Sequence, residues 1–208
     1  MKVTSGSERR DGLRRFLEHP LVYEGFQRAV GKNRLRRRFV EEFVRPRPGD
    51  RLLDFGCGPG DLVPYVPEVD FAGFDISTAY IASARSRFGE RARFYDDLDE
   101  LRDREAPFDI AVCIGVLHHI DDDTTLRSLR VIRELLSDRG RFVVTEPHLH
   151  DGQHWIAREL IRRDPGRHVR PEHGYQQLLA AVFPTVEVRR DESLLRVPYS
   201  WSIFTCSE

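Results

Sequence analysis

The sequence predicts an α/β fold: a seven-stranded, mostly parallel sheet with helices on both faces and a closing antiparallel strand pair. Three observations predict it. Between residues 51 and 145, short apolar runs alternate with helical segments, the pattern of parallel strands joined by crossover helices. The first of these runs leads directly into a glycine cluster, Gly56-Cys57-Gly58-Pro59-Gly60. The last two apolar runs, 185–190 and 202–206, are separated by too short a linker for a crossover, which favours an antiparallel pair.

The elements follow in order. Residues 1–12 are polar, and 13–17 suit a short helix ended by Pro20. From 21 to 44, Val22, Phe26, Val30, Leu35, Phe39, Val40 and Phe43 recur at helical spacing, as one helix or as two broken near Gly31. Pro46, Pro48 and Gly49 end that region. Strands are expected at 51–55, 70–75, 92–95, 108–114 and 141–145. Helices are expected at 61–65, shortened by Pro64 and Pro67, then at 77–88 with Ser77 as its cap, and at 123–136 with Gly140 as its stop. Two more are expected at 153–163 and 175–183. The whole reads as a single domain: 1–50 as a helical cap or lid, 51–146 as a ligand-binding core, and 147–208 as substrate-side helices and closing strands. Tyr23, Phe26 and Gln27 suit a lid over a pocket and core packing equally well.

Composition bounds the function. The 208 residues are 40% hydrophobic and 32% charged, which is globular rather than disordered. No apolar run approaches the roughly 20 residues that span a bilayer, and the first residues lack a signal-peptide core, so a cytoplasmic protein without a membrane partner is expected. Cys57, Cys113 and Cys206 are far apart and lack zinc-ligand spacing, so neither a disulfide framework nor a zinc site is expected. Residues 1–50 carry 13 Lys and Arg against 7 Asp and Glu, while the rest carry 20 against 27. A net charge of -1 without a nucleic-acid motif argues against nucleic acid as a partner. The sequence leaves monomer and homodimer open.

The glycine cluster carries the most chemistry. Glycines at the exit of a buried strand allow a tight turn and a close approach of ligand to backbone. Asp75 lies 21 residues after Asp54, at the end of the second strand, where a carboxylate can accept from both ribose hydroxyls. The glycines are spaced Gly-x-Gly-x-Gly, one residue shorter than the dinucleotide pattern, and Asp54 precedes them. A pyrophosphate would be repelled by that carboxylate, whereas a cationic amino or sulfonium group would be attracted.

Asp54 through Gly60 resembles motif I of class I S-adenosylmethionine-dependent methyltransferases, a family with a Rossmann-like fold. Gly73-Phe74-Asp75-Ile76 resembles motif II, Phe94 through Leu98 the adenine-holding segment, Phe108 through Ile120 motif IV and its extension, and Gly140 through Val144 the fifth-strand motif. The resemblance implies S-adenosylmethionine as cofactor. It places the backbone of Gly56, Cys57 and Gly58 around it, with Gly60 closing the loop. It places Asp54 at its amino group, Asp75 at the ribose, Ile76 on adenine, Asp97 and the Leu98 amide at the adenine edge, and Gly115 at the methionine end. Asp96 stands where the family often has glycine, and the spacing to Leu98 favours Asp97 over Asp96 as the adenine partner.

Methyl transfer needs the acceptor atom in line with the methyl group, and a base where the acceptor proton has a high pKa. His118 and His119 follow the fourth strand, and His148 and His150 follow the fifth, both at the ligand edge, so all four are candidate bases. His148, His150 and His154, with Glu146 and Asp151, offer the only metal-like spacing, but no metal is expected. Arg158, Arg162, Arg163, Arg167 and Arg170 suit either carboxylate or phosphate recognition or a solvated surface. The expected substrate is a small metabolite methylated on a hydroxyl. The alternatives are an RNA or protein acceptor, and a cofactor-binding protein turned to another reaction.

Overall fold

The computed structural model describes residues 31–105, 107–164 and 166–208. The helix expected at 13–17, the first half of the helical stretch from residue 21, and the lid residues Tyr23, Phe26 and Gln27 lie outside the described residues.

Helix α1 (Lys32–Arg38) runs on as one π-turn segment, Phe39–Val44, in which the Arg45 N–H reaches back five residues to the Val40 carbonyl at 2.7 Å. That wider turn lets Phe39, Val40 and Val44 all enter the core. Then follow β1 (Arg51–Phe55), a 3-10 turn (Val63–Tyr65), β2 (Asp70–Phe74), α2 (Thr78–Phe88), β3 (Ala92–Tyr95), α3 (Leu98–Arg104) and β4 (Phe108–Ile114). A second 3-10 turn (Leu117–His119) leads to α4 (Asp122–Leu135), β5 (Leu136–Pro147), α5 (Trp155–Arg162), α6 (Glu172–Ala180), β6 (Thr185–Asp191) and β7 (Trp201–Ser207).

The strands form one sheet in the order β3-β2-β1-β4-β5-β7-β6. The first five are parallel, and β7 runs antiparallel between β5 and β6, so the expected closing pair is present. Alternate side chains leave opposite faces of each strand. Leu52, Phe71, Ile110, Val112, Val143 and Ile203 pack with Leu35 of α1, Phe39 of the π-turn segment and Ile81 of α2. Leu53, Phe74, Ala111, Cys113, Phe142 and Phe204 pack on the other face with Leu101 of α3, Leu129 and Ile132 of α4, and Tyr175 and Leu179 of α6. Each such large side chain, fully buried, contributes about 1.5–3 kcal/mol. Both faces being covered explains why β4 reads as a continuous apolar run.

Two expectations are corrected. The helix begun at Asp61 shrinks to the turn Val63–Tyr65, where Pro64 removes a donor. Gly140 does not stop α4, because the helix ends at Leu135 and the chain enters β5 at once. Gly140 is instead buried in β5, beside the irregular pairing of Phe108 and Ile110. A Cβ there would lie 2.9 Å from the carbonyl oxygens of Phe108 and Ser137, so close backbone packing, not helix capping, requires the glycine. Ser77 caps α2 as expected, accepting from the Tyr80 N–H at 3.3 Å.

Candidate functional site

The parallel strands all end at one edge, and the site is built there. Gly56 turns the chain out of β1 at φ +83°, and a Cβ would strike Val116. The N–H groups of Gly56 and Cys57 donate to the Phe74 carbonyl at 2.7 and 3.0 Å, which ties the loop to the end of β2. Gly58, at φ +54°, donates its N–H to Asp75 Oδ2 at 2.9 Å, and nothing lies within 4 Å of where its Cβ would be. The Cys57 side chain turns inward, its Sγ 2.9 Å from the position a Gly73 Cβ would take. Burial pushes that thiol far up, so it stays protonated, and the loop offers its backbone to a ligand.

Asp75 Oδ1 accepts from the Ser77 N–H at 2.9 Å, so both of its oxygens are oriented by backbone and each keeps a further lone pair. Ile76, beside it, is 84% exposed, an apolar side chain with nothing covering it. Asp97 caps α3, its Oδ1 accepting from the N–H groups of Asp99 and Glu100 at 2.8 and 2.9 Å. Asp96 turns toward Arg85 at 3.9 Å. Leu98 is half-buried at the start of α3.

Asp54 is the most unusual group in this half. It is 4% exposed and accepts no hydrogen bond among the described residues. Burial is the main cause that pushes its carboxyl up to about 7, Asp75 and Asp61 add to the rise, and Arg36 opposes it. Arg36 itself pairs with Asp61 at 2.8 Å, placing α1 beside the loop. A buried carboxylate lacking a donor is costly, and a cationic ligand group relieves that cost. The open backbone at Gly58, the oriented Asp75, the exposed Ile76 and the buried Asp54 therefore fit a nucleoside carrying a cationic amino-acid tail.

The other half lies at the exits of β4 and β5. Gly115 donates to the Thr145 carbonyl at 2.9 Å, and a Cβ on it would meet His118 Cε1 at 3.4 Å and the Trp201 ring at 3.7 Å. Glu146, fully buried, accepts from the N–H groups of Val116, Leu117 and His118 and from His118 Nδ1 at 2.6 Å. The opposite nitrogen, His118 Nε2, lies 3.1 Å from Asp164 Oδ1. Burial alone would lower the His118 pKa, but the two carboxylates outweigh it and raise the value to about 9. His119 is exposed, its ring 4.0 Å from that of His118, and burial of its inner side together with the His118 charge holds it below the usual histidine range.

The four candidate histidines fall into two groups. His148 and His150 form the second, their rings 5.2 Å apart. His148 is buried and bonded through Nδ1 to Ser202 Oγ at 3.0 Å, and that hydroxyl also contacts Glu172 at 2.9 Å. Burial pushes His148 down to about 4, so it stays neutral, and its Nε2 has no partner among the described residues. His150 Nδ1 meets the Asp151 carbonyl at 2.8 Å, and its Nε2 meets Glu192 and Ser200 at 3.3 Å. His154 caps α5, accepting from the Ile156 N–H. The three histidines are thus spent separately. The grouping among the described residues that offers three ligand atoms within 4.8 Å of one another is His118, His119 and Asp164.

The arginine cluster also divides. Arg163 pairs with Glu159 at 2.8 Å, Arg158 donates to the His150 carbonyl, and Arg162 and Arg167 are exposed. Arg170 is buried among backbone carbonyls, which removes it from any exposed fork. Asp164 and the carboxylate role of Glu146 were not visible as local motifs, because both meet His118 only through the fold. No described helix is long and apolar enough to cross a membrane.

Comparison with known proteins agrees with this geometry. Residues 26–182 match the family model for a methyltransferase domain. The chain is 34% identical over 99 residues to a probable tRNA methyltransferase 9B of Bos taurus, covering 48% of this chain and 20% of that protein. It is 29% identical over 133 residues to a 2-phytyl-1,4-naphtoquinone methyltransferase of Synechococcus elongatus, covering 59% and 56%. The structure of a mitomycin 7-O-methyltransferase superposes with a TM-score of 0.67 at 20% identity, covering 92% of this chain and 59% of that one. The chain spans about a fifth of the length of the first curated relatives it matches. With the glycine loop, the oriented Asp75 and a match over most of its length, the chain belongs to the methyltransferase-domain family, of the class I S-adenosylmethionine-dependent kind.

Proposed function

We propose that the protein methylates a hydroxyl of a small metabolite, with His118 as the group that takes the hydroxyl proton. The bracketed imidazole carries this reading: Glu146 holds Nδ1, and Nε2 faces the side where Asp164 stands, next to Gly115. When bound, S-adenosylmethionine supplies a methyl group on a sulfonium centre. Asp54 would meet its cationic tail, the Gly56–Gly58 backbone and Asp75 its ribose side, and Ile76, Asp97 and Leu98 its adenine. Glu146 fixes the tautomer that leaves Nε2 as the working nitrogen. Once Nε2 has shed its resting proton, it can accept the proton of the acceptor hydroxyl, and Asp164 stabilises the imidazolium that forms. His118 is 3% exposed, with Tyr199 reaching its Asp164 partner and Trp201 beside Gly115, a setting that limits water as transfer to a hydroxyl requires. His119, His148 and His150 remain weaker candidates, the latter two because they are engaged in their own polar group.

A second reading is an RNA acceptor. Relatives named as tRNA methyltransferases support it, as do the 73% exposed Trp155 and the exposed Arg162, Arg163 and Arg167 that follow on the same segment. Transfer of label from methyl-labelled S-adenosylmethionine into a fractionated cell extract separates the two. Label in small molecules supports the first reading, and label in RNA overturns it.

A further inference from the structure

We propose that Arg170 is a positioning residue that staples the turn carrying His118 to the chain segment that brings Asp164 against it. The inference rests on the reading of His118 as proton acceptor. Its first observation is that the Arg170 guanidinium is buried, yet every one of its five N–H groups has an acceptor. Nη1 donates to the Leu117 and His168 carbonyls at 2.8 and 3.0 Å. Nη2 donates to the Ile120 carbonyl at 2.8 Å and to Asp122 Oδ1 at 2.6 Å, and Nε donates to the same oxygen at 2.9 Å. Leu117 and Ile120 flank the His118-His119 pair, so one side chain grips both ends of the turn that presents it.

The second observation concerns residues 164 and 166–170, which lie over His118. Asp164 faces Nε2, and the His168 N–H donates to the His118 carbonyl at 2.9 Å. Gly166 rests so close to the imidazole that a Cβ would overlap its Cδ2. Arg170 anchors the far end of this strap through the His168 carbonyl and through its own N–H to the Tyr175 hydroxyl at 3.2 Å, with its guanidinium 5.5 Å from the Tyr175 ring. One residue therefore fixes both the imidazole and the carboxylate against it. A lysine has three donors and no fork, so it cannot hold three carbonyls and Asp122 together.

The charged and titratable groups around His118 are Glu146 from β5, Asp164 from the strap, His119 from the same turn, Lys32 from α1, which acts on both His119 and Asp164, and Tyr199, whose hydroxyl lies 3.5 Å from Asp164. Arg170→Lys removes none of these groups; it alters only the staple that holds Asp164 against the imidazole.

The test follows the His118 imidazole nitrogens by NMR across pH in the full chain, with His118→Gln to assign the signal. In Arg170→Lys the midpoint is expected to fall by about one unit or more as Asp164 disengages, while the affinity for S-adenosylmethionine changes less than about threefold. Turnover of the acceptor found by label transfer should fall on the order of 10²-fold, in kcat more than in KM. An unmoved midpoint in a folded Arg170→Lys protein overturns the inference, and so does a loss of cofactor affinity that matches the loss of kcat. A moved midpoint with unchanged turnover leaves the staple standing and removes His118 as the proton acceptor. Should Arg170→Lys fail to fold, Asp122→Asn weakens the same anchor from its exposed side, and an unmoved midpoint there also overturns the proposal.

Discussion

Replacing Asp54 by asparagine should make the ligand-free protein more stable and the cofactor bind less well. The Asp54 carboxyl is 4% exposed, and its burial raises it from 3.8 to about 7. In the unfolded chain it ionises near 3.8, whereas in the folded chain it holds its proton until about pH 7. The folded state thus binds more protons over that window, and stability falls as pH rises through it. The three-unit gap corresponds to a loss of about 4 kcal/mol of stability, complete above pH 7, whereas below pH 4 that stability is retained. Asparagine carries no such liability. Urea denaturation should therefore show Asp54→Asn more stable than the parent, by on the order of 4 kcal/mol at pH 8 and by clearly less at pH 5. Calorimetry at pH 8 should show S-adenosylmethionine binding weakened by about 1.5–3 kcal/mol, because a charge-assisted contact is lost. A stability difference that does not change with pH, or a variant less stable at pH 8, would refute the argument that burial governs Asp54.

Other expectations follow from the same geometry. Asp75→Ala should weaken cofactor binding by about 1–3 kcal/mol, and unchanged affinity in calorimetry removes Asp75 from the ribose side. Because His118 is protonated up to about pH 9, methyl transfer should rise with pH toward that value, and a profile that levels off near pH 6.5 points instead to a histidine without carboxylate partners. Gly56→Ala forces a side chain into a φ of +83° and against Val116, which should cost about 1–3 kcal/mol in thermal or urea unfolding; a neutral substitution contradicts the tight approach described.

Much of this molecule is legible in the chain because its signals are local. The run from β1 into Gly56 and the short linker before β7 rest on neighbouring residues, and the 21-residue step from Asp54 to Asp75 is the length of one strand-to-strand crossover, so periodicity or turn chemistry expresses all three directly. The histidine bracket is not local. Glu146 reaches His118 from 28 residues away, and Asp164 from 46, through a sheet edge and a strap that no periodicity encodes. Arg170 shows the same limit in reverse. In sequence it looks like one more surface arginine, and only the convergence of Asp122 with the Leu117, Ile120 and His168 carbonyls makes its burial favourable. Gly140 resembles a helix stop because glycine marks both caps and close backbone contacts, and here the second use applies.

The place of β7 bears on how the chain is made. It is the last strand in sequence but sits inside the sheet, pairing with β5 on one side and β6 on the other. While the ribosome is still extending the chain, β5 has an open edge and β6 has nothing to join. The nascent protein therefore waits for residues 201–207 with two unpaired strand edges, the interval in which a chaperone, or another copy of the chain, can capture it.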